Sequence, residues 1–145
     1  MSAKTKSIVR SFYDDVITAG DKSKLEKLCS PDLTFRTSLG QKRGGLEGIS
    51  EHVDFLHTAV GGLLCEIDDL VSEKDRVFAR ITVSGTHQAR LLLFDPTDNI
   101  VEWSAVAVFT FVDNKIVDIW TLGDVHGLIK QMADAAPLPD LNGLV

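Results

Sequence analysis

The sequence predicts an α+β fold in which N-terminal helices pack on a strongly curved, cone-shaped antiparallel sheet. Apolar residues recur at helical spacing in the N-terminal part, and strand-like segments separated by turn signals follow. A chain of 145 residues with 44% apolar and 25% charged residues suits one domain with a substantial core. We therefore expect a single domain over residues 1–145, with flexible tails at 1–3 and 136–145.

Three helices are expected before the main strands begin. Apolar side chains every three or four residues predict a helix over residues 4–19. The stretch DKSKLEKLCSPDL predicts a short second helix stopped by Pro31, with a brief strand over 33–37. After the loop GQKRGGLEG, helical spacing resumes over residues 49–60 and ends at a glycine pair.

Four strands in sequence are expected next, as an antiparallel meander. They cover residues 63–71, 77–89, 100–112 and 115–122, separated by SEKD, DPTDN and VDNK. The segment IVEWSAVAVFTFV is apolar on both parities, which is typical of a central strand. A last helix over 125–135 precedes the prolines of APLPD. Helices on one concave face of such a sheet leave a pocket at its open end, where small molecules commonly bind.

Charge and cysteine content exclude several classes of protein. The net charge is −6, whereas nucleic-acid binding requires clustered cations, so we expect no nucleic-acid partner. No apolar run approaches the roughly 20 residues of a membrane span, and no signal peptide is recognisable, so we expect a cytoplasmic protein without a membrane partner. Cys29 and Cys65 lack metal-ligand or disulfide spacing and are expected to be buried thiols.

The stretch IWTLGDVHGL, Ile119 to Leu128, carries the leading candidate for chemistry. Asp124 and His126 follow directly where an apolar strand breaks at Gly123. A carboxylate at a strand end can transfer protons. Alternatively, Asp124 caps the last helix by accepting from its free backbone donors. The residues alone leave both interpretations open.

Several stretches together resemble the SnoaL-like polyketide cyclase family, within the cone-shaped fold of nuclear transport factor and ketosteroid isomerase. They are FYDDVITAGDKSKLEKLCSPDLTF, DLVSEKDRVFARITVSGTH, DPTDNIVEWSAVAVFTFVDNKIVDIW and GDVHGLIKQM. The resemblance implies a cofactor-free intramolecular aldol closure with Asp124 as general acid and base. It also places His52 toward the substrate and makes His87 part of a family GTH motif.

This chain departs from the family pattern at several positions. The loop LLFDPTDN and the turn DNKI lack the usual glycines, and Phe35 and Thr110 stand where cyclases often carry polar side chains. These two residues, with His52, His87, Trp120 and Tyr13, are the expected substrate-binding set. His87 is alternatively a hydrogen-bonded structural residue, and the aromatic residues are alternatively core. His52 and His57 lie on different helix faces, so we expect no metal.

Three functions remain open at this point. The first is a cyclase or related isomerase acting on a small hydrophobic carbonyl compound, with Trp120, Leu122 and Val125 expected to desolvate the Asp124 carboxylate. The second is a module of the same fold that binds such a compound without chemistry. In the third, which can coexist with the others, Trp103, Ala105, Ala107 and Phe109 form an exposed sheet face that packs in a homodimer.

Overall fold

The computed structural model describes residues 2–38 and 41–133, so the tail expected at 136–145 lies outside the described residues. The helices are α1 (Ser2–Ser11), α2 (Leu25–Leu28), α3 (Gly45–Ala59) and α4 (Val125–Met132). The strands are β1 (Cys29–Arg36), β2 (Lys42–Gly44), β3 (Val60–Glu73), β4 (Arg76–His87), β5 (Ile100–Val112) and β6 (Lys115–Gly123). The predicted α+β class and the order of helices and strands are confirmed.

The first helix is longer than expected and changes its winding. It includes Ser2 and Ala3, which were expected in a tail, and continues beyond α1 as a π-helical segment, Phe12–Thr18. At the C-terminal end of that segment, the Ala19 N–H donates to the carbonyl oxygen of Asp14, five residues earlier, at 3.1 Å. The wider winding allows the consecutive aromatics of FYDDVIT to be buried together. Segments of this kind are rare and concentrate near functional sites.

The sheet is mixed, not wholly antiparallel as the sequence had suggested. Its strand order is β2-β1-β6-β5-β4-β3, and the meander from β3 to β6 is confirmed. However, β1 runs parallel to β6, with Phe35 opposite Ile119 and Arg36 opposite Trp120. Parallel neighbours need a long connection, and α3 with β3 to β5 supplies it here. A short strand, β2, also forms inside the stretch expected to be only loop.

The concave face of the sheet is covered by the helices. Phe109 on β5 is fully buried, and its ring packs edge-to-face against Phe12 at 5.6 Å and Tyr13 at 5.5 Å. Ala105 and Ala107 share this face and are buried as well. The expectation that these β5 residues form an exposed face is therefore wrong, because the side chains of the opposite parity face outward. The convex face carries exposed apolar groups, including Phe78, Val106 and Leu122.

A glycine in β4 permits close approach of the neighbouring strand. A methyl group at Gly85 would lie 2.5 Å from Val60 Cγ1 and 2.7 Å from the Gly61 carbonyl oxygen. Because the second contact involves backbone, a rotamer change cannot relieve it. At Gly44, by contrast, the nearest atom to an added methyl group is 3.8 Å away.

We predict that Gly85→Ala lowers the free energy of unfolding by roughly 1–3 kcal/mol, since β3 must shift to accept the methyl group. Urea unfolding followed by circular dichroism measures this. Gly44→Ala is the matched control and should unfold close to the wild-type midpoint. Equal midpoints for the two variants would contradict the steric argument.

Candidate functional site

The parallel pairing of β1 with β6 brings the ends of both strands to one edge of the sheet. Thr37 and Ser38 follow β1 there, and Gly123 leads from β6 into α4. A methyl group at Gly123 would lie 2.6 Å from Ser38 Oγ and 3.7 Å from Trp103 Cδ1, so these three residues converge. We call the group Thr37, Ser38, Trp103, Asp124 and His126 the rim site.

Two polar atoms of the rim site have no hydrogen-bond partner in the part of the chain that the structure describes. Thr37 Oγ1 and His126 Nε2 are buried and have no hydrogen-bond partner among residues 2–38 and 41–133. Trp103 lies on the concave side of β5 and is only partly buried. Buried polar groups are normally paired, and leaving one unpaired costs about 1–3 kcal/mol. The rim site therefore combines an aromatic surface with two polar atoms that have no partner in the described part of the chain.

Asp124 lies at the start of α4 and is exposed. Its Oδ1 accepts a hydrogen bond from the Gly127 backbone N–H at 2.9 Å, which confirms the predicted cap. The expected desolvation by Trp120 and Leu122 is wrong, since their side chains are 41% and 46% exposed on the convex face. Successive side chains of β6 point to opposite faces of the sheet. Because Ile119 points inward and is buried, Trp120 and Leu122 point outward. The carboxylate is thus open to a ligand approaching the rim.

The structure brings together two of the expected substrate-binding residues, Phe35 and His52. Phe35 is buried, and its ring centroid lies 5.8 Å from that of His52 on α3. The His52 ring also stacks near Phe55 at 6.5 Å. Burial, with a further contribution from the Arg43 charge, lowers the pKa of His52 to about 4. His52 is therefore neutral at physiological pH.

Tyr13 belongs to the aromatic core cluster under the sheet. Its ring is edge-to-face with Phe12 at 5.4 Å and with Phe109 at 5.5 Å. Burial raises the pKa of the phenol well above its usual value, and Cys65 contributes further. The thiols of Cys65 and Cys29 are buried too, and burial raises the pKa of each to about 12. These groups pack the interior in their neutral forms.

His87 is the last residue of β4 and is fully buried. Its Nδ1 accepts from the Thr97 backbone N–H at 3.3 Å and lies 3.1 Å from Thr97 Oγ1. Since Nδ1 accepts a backbone N–H, the ring proton is on Nε2, a buried atom without a partner in the described chain. His87 thus anchors the loop that contains DPTDN, as the structural alternative proposed.

Thr110 and Trp120 do not reach the concave side of the sheet. Thr110 pairs with Arg76 and Asp118 in a row whose side chains face outward. Trp120 lies beneath the Arg36 guanidinium, 4.7 Å from the ring centroid. Thr110 was expected at the substrate from the family resemblance, and Trp120 was expected there as an aromatic side chain that could line a cavity. Sequence reasoning also overlooked Thr37, which shares the inward parity of Leu33 and Phe35.

Two broader properties of residues 2–38 and 41–133 bear on function. In that part of the chain, no three His, Cys, Asp or Glu side chains are grouped as metal ligands. None of its helices combines the length and apolar character needed to cross a membrane.

We predict that the stability of the protein depends on His52 in mildly acidic solution. Its folded pKa of about 4 lies below the unfolded value near 6.5, so only the unfolded chain binds a proton between these values. Stability contributed by neutral His52 is therefore lost as the pH falls from about 6.5 toward 4. In His52→Leu, the drop in unfolding free energy between pH 7 and pH 5 should shrink by on the order of 1 kcal/mol. An unchanged drop, measured by urea unfolding at both pH values, would refute this.

The chain is similar to several solved structures and to one protein family. The protein is similar to a solved structure from Jannaschia sp. CCS1, provisionally assigned as a SnoaL-like polyketide cyclase, with a TM-score of 0.84, 16% identity and coverage of 92% of this chain and 94% of that one. It is also similar to AclR from Streptomyces galilaeus, provisionally a hydroxylase, with a TM-score of 0.80, 26% identity and coverage of 96% and 91%.

A third similar structure is a SnoaL-like polyketide cyclase from Agrobacterium tumefaciens strain C58, with a TM-score of 0.77, 18% identity and coverage of 89% of this chain and 98% of that one. No protein among those with curated functions matches the sequence. The profile of the SnoaL-like polyketide cyclases matches residues 7–132, which is most of the chain. The chain therefore belongs to the SnoaL-like polyketide cyclase family.

Proposed function

We propose that the protein is a cofactor-free cyclase or isomerase that moves a proton next to the carbonyl group of an apolar, polyketide-like compound. The observation that carries this proposal is the convergence at the rim site. Asp124 follows β6 directly and caps α4. Ser38 and Trp103 lie close to the preceding residue, Gly123. Family membership adds support, because Asp124 occupies the position that the resemblance assigns to the general acid and base.

The proposed chemistry uses one carboxylate in two steps. Asp124 removes a proton from the carbon next to the carbonyl group, and an enolate forms. In a cyclisation, the enolate carbon bonds to a second carbonyl carbon, and protonated Asp124 returns the proton to the resulting alkoxide. In an isomerisation, the proton returns to a different carbon of the same substrate. Either sequence restores the carboxylate and needs no oxidant or cofactor.

Other groups of the rim site have complementary roles in this proposal. Within residues 2–38 and 41–133, Thr37 Oγ1 and His126 Nε2 have no hydrogen-bond partner, so in this proposal they hydrogen-bond to the carbonyl oxygen as its charge develops. Trp103 would provide an apolar surface for the substrate. Since Asp124 is exposed in the free protein, the bound substrate itself must exclude water from the carboxylate.

A second candidate is a module that binds the same class of compound without chemistry. It is favoured by Phe35, which stands where cyclases often carry a polar side chain. We further propose a cytoplasmic location, since both cysteines are buried free thiols, as expected in a reducing compartment.

We predict that Asp124→Asn abolishes proton transfer while leaving the fold intact. The probe is 2-tetralone, an apolar ketone whose α-protons exchange with D2O and are followed by proton NMR. The wild type should accelerate exchange, and Asp124→Asn should reduce the acceleration by about 100-fold or more. The melting temperature should stay nearly constant, because asparagine caps helices as well as aspartate does.

Asp124→Ala is the companion variant, since it loses both the carboxylate and the cap. It should lose exchange activity and also about 1 kcal/mol of stability. Equal exchange by wild type and Asp124→Asn would refute the catalytic role. A thermal shift with 2-tetralone but no accelerated exchange in the wild type would support the binding module instead.

We also propose that two copies associate through the convex face of the sheet. Phe78, Val106 and Leu122 are exposed there on neighbouring strands, and Val106 pairs directly opposite Leu122. Contiguous apolar surface of this kind is typical of an interface.

We predict that Val106→Glu yields a monomer, because the carboxylate would be buried against the second copy without a partner. Analytical ultracentrifugation over a range of concentrations measures this. Val112→Glu, at the far end of β5 and also exposed, is the control and should not change the mass. A wild-type protein that sediments as a monomer would contradict the proposal.

A further inference from the structure

A groove on the convex side of the sheet shares no residue with the rim site. It has a volume of about 620 Å³, within the range of small-molecule sites. It runs over β2, β1 and β6, at the edge of the sheet away from β3. The side chains that face it are those of Thr34, Arg36, Lys42, Asp118 and Trp120, and we call it the β2 groove.

The β2 groove is positively charged in a protein whose net charge is −6. Two cationic side chains, Arg36 and Lys42, face it, against the one carboxylate of Asp118, which accepts from Thr34 Oγ1 at 2.6 Å. Arg43 also borders the groove, but it lies opposite Phe35 in the pairing of β1 with β2, so its side chain faces α3, where it approaches Glu51 at 3.9 Å. In the described part of the chain, neither Arg36 nor Lys42 forms an ion pair. This concentration of cations favours an anionic ligand.

Arg36 is held in place before any ligand binds. Its guanidinium lies 4.7 Å from the centroid of the Trp120 ring, and its Nη1 donates to the Thr121 carbonyl oxygen. A guanidinium carries five N–H donors, so these contacts leave donors for a carboxylate. A side chain that is already ordered loses less entropy on binding.

Trp120 gives the groove an apolar wall. Its indole is 41% exposed although it lies on a strand of the sheet. Large exposed aromatic side chains are enriched where proteins bind ligands and partners. A ligand that satisfies both the cations and the indole must therefore carry an anionic group on a flat apolar body.

We propose that the β2 groove binds a small aromatic carboxylate. The carboxylate accepts hydrogen bonds from Arg36 and lies within the field of Lys42, while the ring packs along Trp120. The volume of the groove limits the ligand to a small molecule. This site is independent of proton transfer at the rim.

The proposal is tested with 2-naphthoate, by isothermal titration calorimetry and by quenching of tryptophan fluorescence. We expect saturable binding that weakens with added salt. Two probes separate the requirements: 2-naphthamide has the ring without the charge, and cyclohexanecarboxylate has the charge without the aromatic ring. Both should bind at least about tenfold more weakly. Equal binding of naphthoate and naphthamide would overturn the proposal.

Variants locate the site on the protein. Lys42→Gln and Arg36→Gln should each weaken naphthoate binding, with about a tenfold loss for Arg36→Gln. Trp120→Leu should weaken binding and remove most of the quenching, which leaves Trp103 as the remaining tryptophan. Arg10→Gln, an exposed charge change on α1, is the control and should bind like wild type. If Lys42→Gln and Trp120→Leu both keep wild-type affinity, naphthoate binds elsewhere and the proposal fails.

Discussion

The parallel pairing of β1 with β6 is the constraint on which the rest of the structure depends. A hairpin would have sent the two strand ends to opposite edges of the sheet, but the parallel arrangement brings both to the same edge. Ser38, Gly123 and Trp103 meet there, and α4 begins there with Asp124 as its cap. The lack of a side chain at Gly123 allows this convergence, since even one methyl group would collide with Ser38 Oγ.

The alternation of side chains on β6 divides the strand between two environments. Ile119 points into the core, whereas Asp118 and Trp120 point to the convex side and line the β2 groove. Neighbouring residues of one short strand therefore serve the interior of the cone and its outer surface. The same separation on β5 buries Phe109 under the helices and exposes Val106. Strand β5 therefore has apolar side chains on both faces: one set is buried under the helices, and the other lies exposed on the convex face.

Much of the fold could be predicted from local patterns, because turn signals and helical spacing act over a few residues. The strand at 100–112 matches its predicted bounds, and the Asp124 cap depends only on the residues that follow it. The direction of β1 could not be predicted, since its partner lies more than 80 residues away. The outward positions of Thr110 and Trp120 could not be predicted either, because β5 and β6 are apolar on both faces and their register shifts after Thr110.

The outer edge of the sheet has a consequence for how the protein behaves in a crowded solution. Among the described strands, β3 pairs only with β4, so apart from Cys65, which bonds to Thr18, its other side presents backbone groups that another chain could pair with. Glu66, Asp68, Asp69 and Glu73 are exposed along this strand. If two copies aligned their β3 strands, carboxylates would face carboxylates, and the repulsion would oppose growth of a continuous intermolecular sheet. The acidity of the chain thus protects its longest open edge against aggregation.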